Sequence, residues 1–156
     1  MKPKGRVSFA KQPAHRTIGK NEKNADLEMT TEPWECCWDY KGLFRRLIVP
    51  AGYTWDGASI PRFAWSIIGL TPGCLMDGPS LAHDAPYRAA GGKKPDKWMG
   101  CRLENQNGNV VIIDRAEADW VLLEAAKFAG VVPARAGVAY GVVRAFGGLH
   151  WGGKAP

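Results

Sequence analysis

Glycine and proline divide the chain into short segments. There are 19 glycines and 11 prolines among 156 residues, and they recur between nearly all of the apolar stretches. Both residues interrupt regular structure, so a chain of this kind forms only short strands and helices. No apolar run approaches the roughly 18 residues that span a bilayer. The length is that of one domain, which can bury about two-thirds of its unfolded surface without a disulfide or a metal.

The first half of the chain has the pattern of a β-hairpin. Residues 34–40 and 43–49 are rich in aromatic and branched side chains, and Asp39 to Gly42 form a turn signal between them. Pro50 and Gly52 end the second strand. A second, small hairpin is predicted from residues 97–103 and 109–114, which flank an Asn-Gly pair.

Helices dominate the second half. Asp114 followed three residues later by Glu117 is a capping box, and apolar residues then recur at helical spacing as far as Gly130. Two more main helices are predicted, from Pro79 to Gly91 and from Pro133 to Phe146, together with a short helical segment from Phe63 to Leu70. The last main helix is rich in small residues and is expected to pack in the core. The predicted fold class is α+β, with N-terminal hairpins and three main helices.

Charge separates an arm from a body. Residues 1–24 contain seven Lys and Arg residues and one acidic residue, Glu22. Their net charge of +6 equals that of the whole chain. We therefore predict a flexible basic arm over residues 1–24 and one globular domain over residues 25–156. The arm can contact an anionic surface or serve only as a solvated tail. Because the body is neutral, a nucleic-acid partner is not indicated.

The cysteines and the N-terminus favour an intracellular place of synthesis. The four cysteines contain no C-x-x-C pair, which is typical of free thiols. The basic N-terminus has no apolar core after it, so no signal peptide is predicted. We expect synthesis in the cytoplasm, with exit only by lysis or inside an assembled particle.

One stretch, "SLAHDAPY", carries the candidate chemistry. His83 and Tyr87 are four residues apart and share one helix face, whereas Asp84 points about a quarter-turn away. Asp119 lies on the edge of the next helix's apolar stripe, where a carboxylate must reach solvent or a buried partner. If these helices pack together, His83 becomes a base, Asp119 orients it, and the Tyr87 hydroxyl fixes Asp119. The other histidines, His15 and His150, are in terminal segments and have no such spacing.

Two interpretations of this cluster stay open. In the first, His83 and Asp119 are catalytic. In the second, they are a buried hydrogen-bonded staple in a protein without enzymatic activity.

A cation is compatible with the catalytic interpretation. Asp84, which points away from His83, is expected to hold it, and the loop "YTWDGASIP" can add backbone carbonyls and Asp56. Hard oxygen ligands of this kind suit Ca²⁺.

The pattern "AHDAPY" followed by "EAD" resembles the phospholipases A, both the secreted class and the lipase domain of parvovirus capsids. The resemblance implies that His83 activates a water and that Asp119 orients His83, with Tyr87 in support. It also implies that Asp84 binds Ca²⁺ with carbonyls of the loop from Tyr53 to Gly57.

The longer pattern "VPAGYTWDGASIPR", "HDAPY" and "AD" is similar to an uncharacterised family of tailed bacteriophages and prophages, over about residues 43–146. This resemblance implies a phage protein made in the host cytoplasm, in the tail, the virion or the lysis module. Its partners would be other phage structural proteins or envelope lipid.

Overall fold

The computed structural model describes residues 5–20, 22, 26–55 and 75–152. Over this part the fold is α+β, as predicted, with two antiparallel sheets and three α-helices. The strands are β1 Gly5–Ser8, β2 His15–Lys20, β3 Asp26–Thr30, β4 Trp34–Tyr40, β5 Leu43–Val49, β6 Thr54–Trp55 and β7 Arg102–Glu104. The helices are α1 Asp77–Arg88, α2 Arg115–Phe128 and α3 Pro133–Phe146. The segment predicted as helical from Phe63 to Leu70 lies outside the described residues.

The β4–β5 hairpin confirms the predicted strands and turn. Lys41 and Gly42 have φ values of 54° and 81°, which is the left-handed conformation of a tight hairpin turn. The Gly42 amide donates to Asp39 Oδ1 at 3.0 Å. This hairpin forms the middle of a four-stranded sheet in the order β1-β4-β5-β7, and a three-stranded sheet has the order β2-β3-β6.

The segment predicted as a flexible arm, residues 1–24, contains two strands among its described residues. Strand β1 pairs with β4, and β2 pairs with β3. Val7 is buried in the main core, and the Trp34 indole donates to the Lys11 carbonyl at 2.7 Å. Both β1 and β2 are edge strands, which are held by backbone hydrogen bonds to one neighbour, so a polar composition is compatible with them.

Helix α2 begins where the capping signal places it. Asp114 accepts a hydrogen bond from the Glu117 amide at 2.8 Å. In a full capping box the Glu117 carboxylate would also accept a hydrogen bond from the Asp114 amide. Here it does not. It accepts from the Trp38 indole at 2.8 Å and from Arg45 Nε at 3.2 Å, so it ties the first turn of α2 to strands β4 and β5.

The other predicted elements are present with small differences. Helix α3 has the predicted bounds, and α1 begins at Asp77, two residues before Pro79. The second hairpin is reduced to β7 and one bridge between Glu104 and Val110. None of the described helices is both long enough and apolar enough to cross a bilayer.

The helices pack in the order α1, α2, α3, and α2 also lies against β1. The main core joins the sheets to α1 and α2 around Trp38, Leu47 and Leu81. A smaller apolar cluster fills the space between α2 and α3. In α3 only Ala136, Ala139 and Val143 are buried. The helix therefore packs on the core with one side, and its other side is exposed.

Candidate active site

The contact between α1 and α2 brings the predicted His83, Tyr87 and Asp119 together. His83 is 1% exposed and Asp119 is 0% exposed. His83 Nε2 lies 3.0 Å from Asp119 Oδ1, and the Tyr87 hydroxyl donates to the same oxygen. The His83 and Tyr87 rings are one helical turn apart, with centroids 4.1 Å from each other. Pro86 lies in the last turn of α1, and the Tyr87 ring beside it still packs on His83.

Two arginines that the sequence did not single out hold the second oxygen of Asp119. Arg144 Nη1 on α3 donates to Oδ2 at 2.8 Å, and Arg115 Nε on α2 donates at 3.4 Å. The spacing of four residues between Arg115 and Asp119 is a signal that could have been used. Arg144 gave no such signal, because only the packing of α3 on α2 brings it to Asp119.

These hydrogen bonds keep Asp119 ionised despite its burial. Burial alone would raise the pKa of Asp119, but the hydrogen bonds from His83, Tyr87 and Arg144 outweigh it and hold the pKa below its usual value. Burial raises the pKa of the Tyr87 hydroxyl, and its hydrogen bond to Asp119 raises it further. The Tyr87 hydroxyl therefore keeps its proton and donates a hydrogen bond to the ionised Asp119.

The charge of Asp119 fixes which nitrogen of His83 carries the proton. An ionised carboxylate only accepts hydrogen bonds, so Nε2 of a neutral His83 must be the protonated nitrogen. Nδ1 then has a free lone pair. It is buried and has no hydrogen-bond partner among the described residues. A histidine with one nitrogen held by a carboxylate and the other unpaired is arranged to take up a proton.

The residues predicted to bind calcium are partly described. Asp56 and Gly57 lie outside the described residues. Arg88 Nη2 lies 3.3 Å from Asp84 Oδ2, and Arg88 Nη1 donates to the Thr54 carbonyl at 2.9 Å. The same guanidinium lies over the Tyr53 ring, 5.1 Å from its centroid.

Arg88 thus supplies positive charge at the place where the resemblance puts Ca²⁺. In the described part of the chain, no group of three or more His, Cys, Asp or Glu side chains is arranged to hold a metal ion. Arg88 therefore already pairs with Asp84 among the described residues, and calcium binding by Asp84 and the loop from Tyr53 to Gly57 stays a prediction.

His15 was not a sequence candidate, but the structure gives it a defined position. Its Nδ1 lies 2.9 Å from Glu28 Oε2 on β3, and its Nε2 lies 3.0 Å from Asp77 Oδ2 at the start of α1. Burial would lower the pKa of His15, but the hydrogen bonds with both carboxylates raise it above its usual 6.5. His15 therefore links the three-stranded sheet to the helix that carries His83, and these contacts favour its protonated form.

The cysteines are structural in the described part of the chain. Cys36, Cys37 and Cys101 are free thiols, in agreement with the sequence. Burial raises the pKa of Cys36 and of Cys101, so neither has the character of a nucleophilic thiolate.

Comparison with known proteins places the chain in a family. Residues 31–143 match the family described as "Protein of unknown function (DUF1353)", and the chain belongs to it. The matched region contains His83, Tyr87 and Asp119, whereas β1, β2 and β3 precede it. Neither the curated proteins nor the solved structures contain a match to the chain.

Proposed function

We propose that this protein is a hydrolase in which His83 is the general base and Asp119 is its positioning residue. The observation that carries the proposal is that the two ring nitrogens of the buried His83 have different surroundings. Nε2 is held by an ionised carboxylate, and Nδ1 has no partner among the described residues. This is the arrangement required to take a proton from water and to stabilise the resulting imidazolium.

The reaction that fits this arrangement is ester hydrolysis. Water attacks the ester carbonyl while its proton passes to His83 Nδ1. Asp119 stabilises the imidazolium through the Nε2 hydrogen bond, as Arg115 and Arg144 hold its second oxygen in place. The proton on Nδ1 then moves to the leaving alkoxide, which releases an alcohol and an acid. No metal takes part in this scheme.

The class of substrate comes from the sequence motifs. The resemblance of "AHDAPY" and "EAD" to the phospholipases A supports a lipid ester. The resemblance to a phage and prophage family supports a place in the tail, the virion or the lysis module, where envelope lipid would be the substrate.

A second candidate is a structural phage protein in which the same residues are a staple. The observation that favours it is the enclosure of the cluster, since His83 is 1% exposed and Asp119 is 0% exposed. Asp119 accepts from donors on all three described helices, namely His83 and Tyr87, Arg115, and Arg144. Such a carboxylate would hold the helices together without any reaction.

Release of fatty acid from phospholipid micelles tests the hydrolase proposal. The variant is His83→Asn, and the matched control is His15→Asn, which changes another histidine with carboxylate partners. We expect the wild type and His15→Asn to release fatty acid, and His83→Asn to lose activity by at least about a hundredfold. No release by the folded wild type, or equal release by His83→Asn, would contradict the proposal and favour the staple.

A further inference from the structure

A cavity of about 400 Å³ lies beside the first turn of α2. Arg115 and Glu117 of that turn line it, together with Arg45 of β5, Lys93 and Trp151. Small-molecule sites in proteins have volumes of about 300–1,000 Å³. The cavity is therefore large enough for a small organic molecule, and the hydrolysis proposed above does not use it.

Arg45 has most of its hydrogen-bond donors left for a ligand. Its side chain is 12% exposed, and its hydrogen bond to the described residues runs from Nε to Glu117 Oε1 at 3.2 Å. The two Nη nitrogens bond none of the residues that the structure describes, although the donors of a buried guanidinium are normally paired. Since Arg45 lines the cavity, a ligand there can supply the missing acceptors.

Three lysines at the rim of the cavity have no acidic partner in the described part of the chain: Lys93, Lys94 and Lys97. Lys93 lines the cavity. Lys94 Nζ and Lys97 Nζ both donate to the Gly152 carbonyl, at 3.0 Å and 3.2 Å, and Gly152 follows the lining residue Trp151. Two ammonium groups on one oxygen repel each other, and each keeps donors that the carbonyl does not use. An anion beside them would offset this repulsion.

The carboxylates that line the cavity are already engaged. Glu117 is paired with Arg45, and Asp114 accepts a hydrogen bond from the Glu117 amide. Asp96 lies among the three lysines in sequence, but it is exposed and makes no ion pair with the described residues. The rim therefore carries more positive than negative charge, and a ligand with more than one negative charge fits it best.

We propose that this cavity binds the phosphate group of a small phosphate monoester. Such a group carries about −1.5 to −2 charges at pH 7 and has three strong acceptor oxygens. It matches a guanidinium with unused donors and several ammonium groups better than a carboxylate, which carries one charge. Trp151 and Ile112, which is 57% exposed, form an apolar wall for the organic part of the ester.

This inference does not depend on hydrolysis by His83, because the phosphate is held by other residues. The cavity does lie beside the His83 cluster. Arg115 lines it and donates to Asp119 at 3.4 Å, and Trp151 lines it and packs on the Tyr87 ring with centroids 5.1 Å apart. The phosphate can therefore belong to a soluble ester or to a lipid headgroup.

Isothermal titration calorimetry with phenyl phosphate tests the proposal. Phenyl sulfate, which has nearly the same shape but one negative charge, is the matched ligand. The test variants are Lys93→Gln and Arg45→Lys, which keeps a charge for Glu117 but lacks the Nη nitrogens. The control is Lys127→Gln, which removes the same charge as Lys93→Gln at the other end of α2, about 18 Å along the helix from Arg115. Circular dichroism confirms that the variants are folded.

We expect the wild type and Lys127→Gln to bind phenyl phosphate, and to bind phenyl sulfate at least about tenfold more weakly. Lys93→Gln and Arg45→Lys should each lose at least about tenfold in affinity for phenyl phosphate. If Arg45→Lys does not fold, Lys93→Gln decides alone. The proposal is overturned if the wild type does not bind phenyl phosphate at millimolar concentration, if phenyl sulfate binds equally well, or if Lys93→Gln binds as Lys127→Gln does.

A dihexyl ether analogue of phosphatidic acid, used below its micelle concentration, distinguishes the two sources of the phosphate. This lipid has the same monoester group and no carboxylic ester to hydrolyse. Binding at least about tenfold tighter than that of phenyl phosphate would assign the cavity to a lipid headgroup, because buried acyl-chain carbons then add to the affinity. Equal or weaker binding would assign it to a soluble phosphate ester.

Discussion

His83 Nε2 and Asp119 Oδ1 lie 3.0 Å apart across the contact between α1 and α2, although 36 residues separate them in the chain. This one distance assigns the proton of a neutral His83 to Nε2 and the lone pair to Nδ1. It also makes the packing of two helices a condition for any chemistry at His83. Changes that alter the cluster are therefore expected to affect both stability and activity.

Tyr87→Phe removes one donor to Asp119 and keeps the ring that packs on His83. Because the lost hydrogen bond has an ionised, buried acceptor, we expect the free energy of unfolding to fall by about 1.5–3 kcal/mol. Activity should fall by less than about tenfold, since the contact between His83 and Asp119 remains. Urea unfolding and an ester assay measure the two effects. Tyr40→Phe, which keeps its ring packing on Trp120, is the control.

If Tyr87→Phe unfolds at the same urea concentration as the wild type, its hydrogen bond to Asp119 does not hold the helices together.

The His15 contacts predict a stability that depends on pH. The folded protein has a raised pKa at His15, so protonation favours folding. The contribution is complete below the unfolded pKa of about 6.5 and is lost as the pH rises through the folded value. In His15→Gln the melting temperature should fall by more at pH 5 than at pH 9. A difference of about 2–4 °C between the two pH values corresponds to about 1 kcal/mol.

Thermal unfolding of both proteins at the two pH values makes this comparison. An equal loss at pH 5 and pH 9 would mean that the two carboxylates do not act on the charge of His15.

The contact of Arg88 with Asp84 predicts activity that resists chelation. The guanidinium bonds both Asp84 and the Thr54 carbonyl, where the phospholipase resemblance implies a calcium ion. We therefore expect EDTA to leave ester hydrolysis unchanged and calorimetry to detect no Ca²⁺ binding at millimolar concentration. Loss of activity in EDTA that Ca²⁺ restores, and Asp84→Ala removes, would instead assign a calcium site to Asp84 and the loop after Tyr53.

Gly5 tests whether the N-terminal segment belongs to the fold. A Cβ at Gly5 would lie 1.8 Å from the Asp39 carbonyl oxygen and 2.8 Å from the Trp120 ring. Gly5→Ala must therefore separate β1 from β4, and we expect a loss of more than about 1 kcal/mol in the free energy of unfolding. Gly137→Ala is the control, because the added methyl meets no atom and improves helix propensity by about 0.5–1 kcal/mol.

Chemical denaturation of both variants measures these opposite changes. An unchanged stability in Gly5→Ala would support the flexible arm that the charge pattern predicts.

Features fixed by neighbours in sequence were predictable. The turn at Lys41 and Gly42 and the cap at Asp114 each depend on a few adjacent residues, and the bounds of β4, β5 and α3 agree with the sequence. His83, Tyr87 and Asp119 were also recognisable as partners, because helical spacing shows which side chains share a face. Whether they are catalytic stays a prediction.

Features fixed by distant packing were not predictable. Arg144 reaches Asp119 only because α3 packs on α2, and His15 meets Asp77 across 62 residues of sequence. Strand β1 was not predicted for the same reason, since it depends on the edge of β4 rather than on its own side chains.

The most direct test of the account compares two buried carboxylates on the same helix. Asp119→Asn keeps the shape of the side chain but removes the charge that orients His83 and stabilises its protonated form. Glu117→Gln changes a carboxylate that bonds Trp38 and Arg45 instead. With rates of ester hydrolysis measured on folded protein, we expect Asp119→Asn to lose several orders of magnitude and Glu117→Gln to keep activity within about tenfold. A folded Asp119→Asn that hydrolyses the ester as fast as Glu117→Gln would contradict the assignment of His83 as a base oriented by Asp119.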